Sequence, residues 1–164
     1  MADDAQAPSR SYLKVEEAYA VLGASPQPGE TVVDLGAAPG GWSYSAAKRQ
    51  AAVIAVDNGP LKSGAAGNPL IKPLAADGFT YESGRVDWLF CDMLDDPDRV
   101  LELLGRWVSR RLCRNFIVNL KFGRNDPLPL LRRAGALADR CEVFRVRHLF
   151  HDREELTVVG RVRI

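Results

Sequence analysis

The residues with the clearest chemical content form one run, Val32-Val33-Asp34-Leu35-Gly36-Ala37-Ala38-Pro39-Gly40-Gly41-Trp42. It joins a β-rich segment to a segment with helical character. Glycines at such a junction let the backbone turn tightly and approach a ligand, and the free N–H groups of the helix start face it. The spacing of Gly36, Gly40 and Gly41 is not that of a dinucleotide fingerprint, and no Lys-Ser/Thr pair follows to make a phosphate-cradling loop. Asp34 places a negative charge where a pyrophosphate would otherwise sit. The loop therefore suits a cationic or hydroxyl-rich ligand better. Asp57 ends the next apolar run, where an acid commonly bonds ribose hydroxyls in nucleotide-binding α/β sheets. Asp77-Gly78-Phe79 follows the third such run and could bond an adenine amino group and pack its ring. Trp42 reads as packing beneath the loop.

Other chemistry is weakly represented. Cys91, Cys113 and Cys141 are odd in number, widely spaced and form no CxxC pair, so neither a disulfide framework nor a zinc site is expected. His148 and His151 have no third ligand nearby in sequence, and no metal is expected.

The elements that must position the loop follow from periodicity. Residues 11–22 read as a short helix and residues 23–30 as a loop with two prolines. Strands are expected at 31–36, 52–57, 71–75, 86–91, 116–120, 141–149 and 155–163. Helices are expected at 41–50, 96–112 and 128–138, with Pro127 suiting the start of the last. Near-continuous apolar strands alternating with helices indicate an α/β fold with a parallel sheet. The last two strands are too close for a crossover helix and must pair antiparallel. The expectation is a mostly parallel, seven-stranded sheet with a C-terminal antiparallel strand. Trp88, Trp107 and the Leu/Val run of residues 100–108 read as core.

The 164 residues and 18.0 kDa correspond to one domain, 1–164, with residues 1–10 a flexible tail. No stretch reaches the roughly 18 apolar residues of a membrane span, and the N-terminus lacks the features of a signal peptide. A cytoplasmic location and no membrane partner are expected. The net charge of +1 hides an asymmetry. Residues 1–100 carry 8 Lys/Arg against 14 Asp/Glu, whereas residues 101–164 carry 14 against 7. The second part has the composition of a surface that faces a polyanion, and Arg132, Arg133, Arg140, Arg145 and Arg147 could track phosphates.

Together these segments resemble the FtsJ-type (RrmJ-type) ribose 2′-O-methyltransferases. Asp34-Leu35-Gly36-Ala37-Ala38-Pro39-Gly40-Gly41-Trp42 is similar to the family's S-adenosylmethionine loop, and Ser9-Arg10-Ser11-Tyr12-Leu13-Lys14 resembles its N-terminal element. Val56-Asp57-Asn58-Gly59-Pro60, Cys91-Asp92-Met93, Asn119-Leu120-Lys121 and His151-Asp152-Arg153-Glu154-Glu155 look closest to the RlmM-type branch. That branch methylates a cytidine ribose in bacterial large-subunit ribosomal RNA. The resemblance covers about residues 9–164.

It implies a Rossmann-like S-adenosylmethionine-dependent methyltransferase fold. The cofactor would lie on Asp34, Gly36, Ala37, Pro39, Gly40, Gly41 and Trp42, with Asp57, Asp77, Gly78, Phe79 and Asp92 completing its site. The family's Lys-Asp-Lys-Glu tetrad falls on Lys14, Asp92, Lys121 and Glu155, with Glu154 a close competitor for the last place. The substrate implied is RNA, most directly large-subunit ribosomal RNA. RlmM-type enzymes also carry a separate N-terminal domain that helps hold RNA, and this chain starts almost at the tetrad's first lysine. A separate RNA-holding domain or protein is therefore an expected partner, and a monomer is favoured.

In the implied reaction a ribose 2′-hydroxyl loses a proton as it accepts a methyl group. Lys121 is the expected base or hydroxyl-orienting group, Asp92 its orienter, and Lys14 and Glu155 the holders of the ribose and the lysine pair. Lysine is scarce here, 5 against 17 Arg, yet two of the five fall on the tetrad. Lysine can lose its proton in a protein and arginine cannot. Three rival readings remain. One is a methyltransferase for a small molecule or protein, and another a non-catalytic module that binds the cofactor or RNA. A nicotinamide-dependent oxidoreductase fits least, because the glycine spacing is wrong for it.

Overall fold

In the computed structural model, residues 4–163 are described. Helix α1 (Tyr12–Leu22) turns its apolar side, with Val15, Ala18, Tyr19 and Leu22, into the core. It stops at Gly23, whose left-handed φ of 75° lets its N–H reach the Tyr19 carbonyl. Then follow β1 (Thr31–Leu35), α2 (Gly41–Lys48), β2 (Ala52–Val56), β3 (Ile71–Leu74), β4 (Val86–Cys91) and α3 (Pro97–Ser109). The chain ends with β5 (Cys113–Lys121), α4 (Leu128–Gly135), β6 (Cys141–Arg147) and β7 (Glu155–Val162). Asp96 caps α3 by accepting the Asp98 N–H at 2.9 Å, and Pro97 opens the helix where no N–H is needed.

The seven strands form one sheet in the order β3-β2-β1-β4-β5-β7-β6. Pairs β1/β2, β1/β4, β2/β3 and β4/β5 are parallel, while β7 runs antiparallel to both of its neighbours. The chain leaves β1 toward β2 on one side, and β4 lies on the other. A crevice therefore opens above the carboxyl ends of β1 and β4, the usual ligand position in such sheets.

The central strands are buried on both faces, as their unbroken apolar runs require. On one face Trp42, Trp88, Phe90 and Tyr19 pack under α1 and α2. On the other, Leu35, Leu89, Trp107 and Phe116 pack under α3 and α4. Trp88 and Trp107 are both fully buried.

Several boundaries differ from the sequence expectation. Strand β5 starts at Cys113 rather than Phe116, because α3 ends at Ser109 and Arg111 adopts a φ of 53° that breaks the helix. Helix α4 ends at Gly135, and a separate 3-10 turn covers Ala138–Arg140. Residues 4–10, expected as part of a flexible tail, lie against α2. The Asp4 carboxylate accepts from Lys48 Nζ at 2.6 Å and Tyr44 OH at 3.0 Å, and the Gly64 N–H bonds the Gln6 carbonyl. Residues 1–3 of that tail lie outside the described residues.

Candidate active site

The glycine loop follows β1 directly. Gly36 has a φ of +74°, and a Cβ built there would lie 2.5 Å from Met93 Cγ. Only glycine allows the turn and the close approach of the segment after β4. Gly36 and Ala37 both donate to the Val56 carbonyl, tying the loop to the end of β2. Asp57, just past β2, accepts from the Ala38 N–H at 3.0 Å and the Gly59 N–H at 2.8 Å. Asp77 accepts from the Phe79 N–H at 2.9 Å, and the Arg99 guanidinium stacks 4.1 Å over the Phe79 ring.

These residues wall a cleft of about 620 Å³. Its lining includes Gly36, Asp57, Asp77, Gly78, Phe79 and Asp92 of the residues expected from the sequence, with Met93, Asp95 and Arg99 added. Four carboxylates against one guanidinium favour a ligand that carries positive charge and hydroxyl groups. A Cβ on Gly78 would stand 2.9 Å from Met93 Sδ, so the backbone is close-packed there too.

Six residues expected at the ligand stand outside this lining: Asp34, Ala37, Pro39, Gly40, Gly41 and Trp42. The space around Gly40, Gly41 and Trp42 is filled by protein. A Cβ on Gly40 would meet Ala65 and Leu61, and one on Gly41 would meet Ser9, Ser11 and Tyr12. The Trp42 indole donates to the Ser11 carbonyl at 3.0 Å and packs edge-on against Phe90. Gly41 and Trp42 thus seat the loop on the start of α1, and Gly40 seats it on Leu61 and Ala65. Asp34 lies beneath the cleft rather than on its wall. One of its oxygens accepts from Ser43 Oγ at 2.6 Å, and the other has no partner. Burial, reinforced by the charges of Asp92 and Asp57, pushes its carboxyl up to about 7.

A second cleft, about 860 Å³, adjoins the first, and Asp92 and Leu94 line both. Here the four tetrad positions come together from four elements: Lys14 from α1, Asp92 after β4, Lys121 at the end of β5 and Glu155 at the start of β7. Lys121 and Glu155 are register partners across the antiparallel pair. Lys121 Nζ lies 2.5 Å from Asp92 Oδ1 and 3.3 Å from Glu155 Oε2, and Lys14 Nζ bonds Glu155 Oε1. The charges alternate as Lys14, Glu155, Lys121, Asp92. Glu154, the competitor, is exposed, and its carbonyl accepts from the Phe122 and Gly123 N–H groups.

The electrostatics follow from these contacts. Burial disfavours the Lys121 ammonium, but Asp92 and Glu155 outweigh it and hold its pKa above the ordinary lysine value. Burial likewise raises the Glu155 carboxyl, but its two lysine partners bring the net below the usual range. In the resting site both groups are charged.

Sequence reasoning gave no role to Asn119 or Asp152. Asn119 Oδ1 accepts from Lys121 Nζ at 3.1 Å, and its amide donates to Asp152 Oδ1 and Thr157 Oγ1, each at 3.2 Å. Asp152 also accepts the Leu149 N–H at 2.9 Å. A buried polar network thus fixes the lysine from behind. The usable signal is that Asn119 and Lys121, two apart on a strand, share a face. Of the arginines expected to track phosphates, Arg133 pairs with Asp98 and Arg145 donates to the Val21 carbonyl. Arg132, Arg140 and Arg147 are exposed.

The profile of FtsJ-like methyltransferases matches residues 7–104. A ribosomal RNA large subunit methyltransferase M from Laribacter hongkongensis is 45% identical over 93% of this chain and 47% of its own length. The protein of the same name from Marinomonas sp. is 42% identical over 97% of this chain and 49% of its own. The chain thus spans about half the length of the curated relatives it matches. Among solved structures, a putative hemolysin from Streptococcus thermophilus aligns with a TM-score of 0.71 at 16% identity, over 99% of this chain and 70% of that one. Magnesium protoporphyrin IX methyltransferase from Synechocystis, with S-adenosylmethionine bound, aligns with a TM-score of 0.63 at 18% identity, over 93% and 79%. These likenesses show the fold: a Rossmann-like methyltransferase sheet.

Proposed function

The chain belongs to the FtsJ-like methyltransferase family, and from that premise we propose that it methylates a ribose 2′-hydroxyl of RNA, using S-adenosylmethionine. The substrate class we assign is large-subunit ribosomal RNA, in keeping with the names of its curated relatives. The observation that carries the reading is the meeting of two clefts at Asp92, with the Lys121 ammonium bonded to that carboxylate.

The first cleft fits the cofactor. Its carboxylates, the close backbone at Gly36 and Gly78 and the Phe79 ring suit a nucleoside with a cationic arm. We assign the ribose hydroxyls to Asp57, the base to Asp77 and Phe79, and the cationic end to Asp92. When bound, S-adenosylmethionine supplies an electrophilic methyl group on a sulfonium, which leaves as a neutral thioether.

The chain's own residues handle the other half of the reaction. The 2′-oxygen forms its bond to carbon and must shed its proton. Lys121 takes that proton, and to do so its nitrogen must first be neutral. Asp92, Glu155 and Asn119 hold the nitrogen at a fixed point, so most of the catalysis lies in positioning. Glu155 also keeps Lys14 beside Lys121, and Lys14 holds the target ribose or its phosphate. We assign the rest of the RNA grip to a separate domain or protein. Among the described residues no helix is long and apolar enough to cross a membrane.

The test is methyl transfer from isotope-labelled cofactor to unmodified large-subunit ribosomal RNA, beside DNA of the same sequence. Label in the RNA alone supports the reading. Label in both contradicts it, and so does label in neither when calorimetry also shows no binding of S-adenosylmethionine.

A further inference from the structure

Large apolar side chains seldom stand fully in water, since each forgoes the free energy of burial. Three are exposed among the described residues, Leu94, Leu128 and Phe150, with Leu128 only about half so. Two of the three, Leu94 at 85% exposure and Phe150 at 87%, line the cleft that holds the lysine–carboxylate cluster. They come from different connections of the chain. Leu94 lies two residues after Asp92 beyond β4, and Phe150 two residues before Asp152 in the β6–β7 connection.

Phe150 is exposed but its backbone is anchored. Its N–H donates to both carboxylate oxygens of Glu17 on α1, at 2.9 and 3.0 Å. Its neighbour Leu149 is buried and bonded to Asp152, and the His151 ring stands edge-on to the Phe150 ring, with centroids 5.0 Å apart. The same lining carries Arg10 and Arg153, which suit the phosphates of a nucleotide.

We propose that Leu94 and Phe150 clamp the base of the target nucleotide, so that the site takes an unpaired or extruded nucleotide and refuses one stacked within a duplex. The proposal rests on the reading of the cleft as a ribose site. A ribose held at Lys121 carries its base one bond from the carbon next to the reacting one. That base must therefore lie within the same cleft. The large apolar side chains that line this cleft are these two. A base still stacked in a helix has both faces covered by its neighbours and cannot use them. Every base has a π-face, so stacking on Phe150 holds the nucleotide without reading its identity.

Two arms test this. In the first, Phe150→Ala, Leu94→Ala and Phe150→Trp are assayed for transfer to unmodified large-subunit ribosomal RNA. A base–aromatic stack corresponds to between about fivefold and about a hundredfold in affinity. The KM for RNA is expected to rise within that range for Phe150→Ala and to return to the wild-type value for Phe150→Trp. For both Phe150 variants, at a position that lines only the second cleft, the affinity for S-adenosylmethionine is expected to stay unchanged. In the second arm, the introduced indole of Phe150→Trp is quenched with acrylamide. The native Trp42, Trp88 and Trp107 are at most 2% exposed and are shielded from the quencher. A single-stranded oligoribonucleotide should shield the new indole, and the same sequence as a duplex should not.

A wild-type KM for Phe150→Ala, or equal shielding by single strand and duplex, overturns the clamp. If the wild type neither transfers a methyl group to any RNA nor binds S-adenosylmethionine, the methyltransferase reading fails. The quenching arm then still decides for or against the clamp.

Discussion

Lys121 and Glu155 face one another as register partners, the last residue of one strand beside the first of the next, with Nζ 3.3 Å from Oε2. The pairing exists because β7 runs antiparallel between β5 and β6. In an all-parallel sheet the start of the last strand would lie at the far edge, a full strand length from Lys121. The one antiparallel strand therefore brings the fourth member to the site.

Lys121 must be neutral to take a proton, yet its two carboxylates hold it charged. Methyl transfer should then rise about tenfold per pH unit between about pH 7 and 9, as the neutral fraction grows. Lys121→Ala should lower the rate by about 10²–10⁴-fold. Lys121→Arg should be equally poor, because a guanidinium keeps its proton. Single-turnover rates across pH check all three, and a flat profile would leave Lys121 as an orienting group only.

Glu155→Gln removes the anion shared by Lys14 and Lys121. Stability should fall by about 2 kcal/mol at pH 7, the scale of a hydrogen bond to a charged group. The folded carboxyl sits below its ordinary value of 4.5, so its contribution is present above that value. The gap between wild type and variant should shrink as pH falls through the acid range. Urea denaturation at pH 7 and pH 4 measures it.

Asp34 has the opposite sign. Its folded pKa of about 7 lies above the ordinary 3.8, so the carboxyl stabilises the fold when protonated. That stability is lost as pH rises from about 4 through about 7. Asp34→Asn keeps the acceptor for Ser43 and cannot ionise. The variant should gain on the wild type with rising pH, by up to about 4 kcal/mol at pH 8. Equal denaturation midpoint differences at pH 5 and pH 8 would contradict the assignment.

Gly36→Ala puts a methyl group against Met93 at a φ of +74°. A stability loss of about 1–2 kcal/mol is expected from the left-handed backbone. Met93 lines the cofactor cleft and must move, so cofactor affinity should fall at least about tenfold. Calorimetric titration with S-adenosylmethionine checks this.

Much of this architecture is legible in the sequence because the buried parallel strands are unbroken apolar runs, from Val32-Val33 to Phe116-Ile117-Val118. The chemistry at strand ends is legible for the same reason: Asp57, Asp92 and Lys121 each stand where an apolar run stops. Asn119 and Asp152 were opaque. One polar residue in a strand carries no meaning until register places it beside a lysine. Met93 and Arg99 entered the cleft through a loop and a helix face whose approach no local pattern encodes. The glycines at 40 and 41 are conspicuous in sequence, yet they pack against Ala65 and Ser11, because tight backbone approach serves protein neighbours as readily as ligands. Asp4 shows the reverse, an acidic tail residue ordered by Lys48 and Tyr44, partners some 40 residues away.

The most direct measurement is nucleoside mass spectrometry of unmodified large-subunit ribosomal RNA after incubation with the protein and methyl-labelled S-adenosylmethionine, with Lys121→Ala in parallel. The account predicts one labelled 2′-O-methylnucleoside with the wild type and its loss in the variant. A label on a base, or a 2′-O-methyl product that persists undiminished without Lys121, would contradict it.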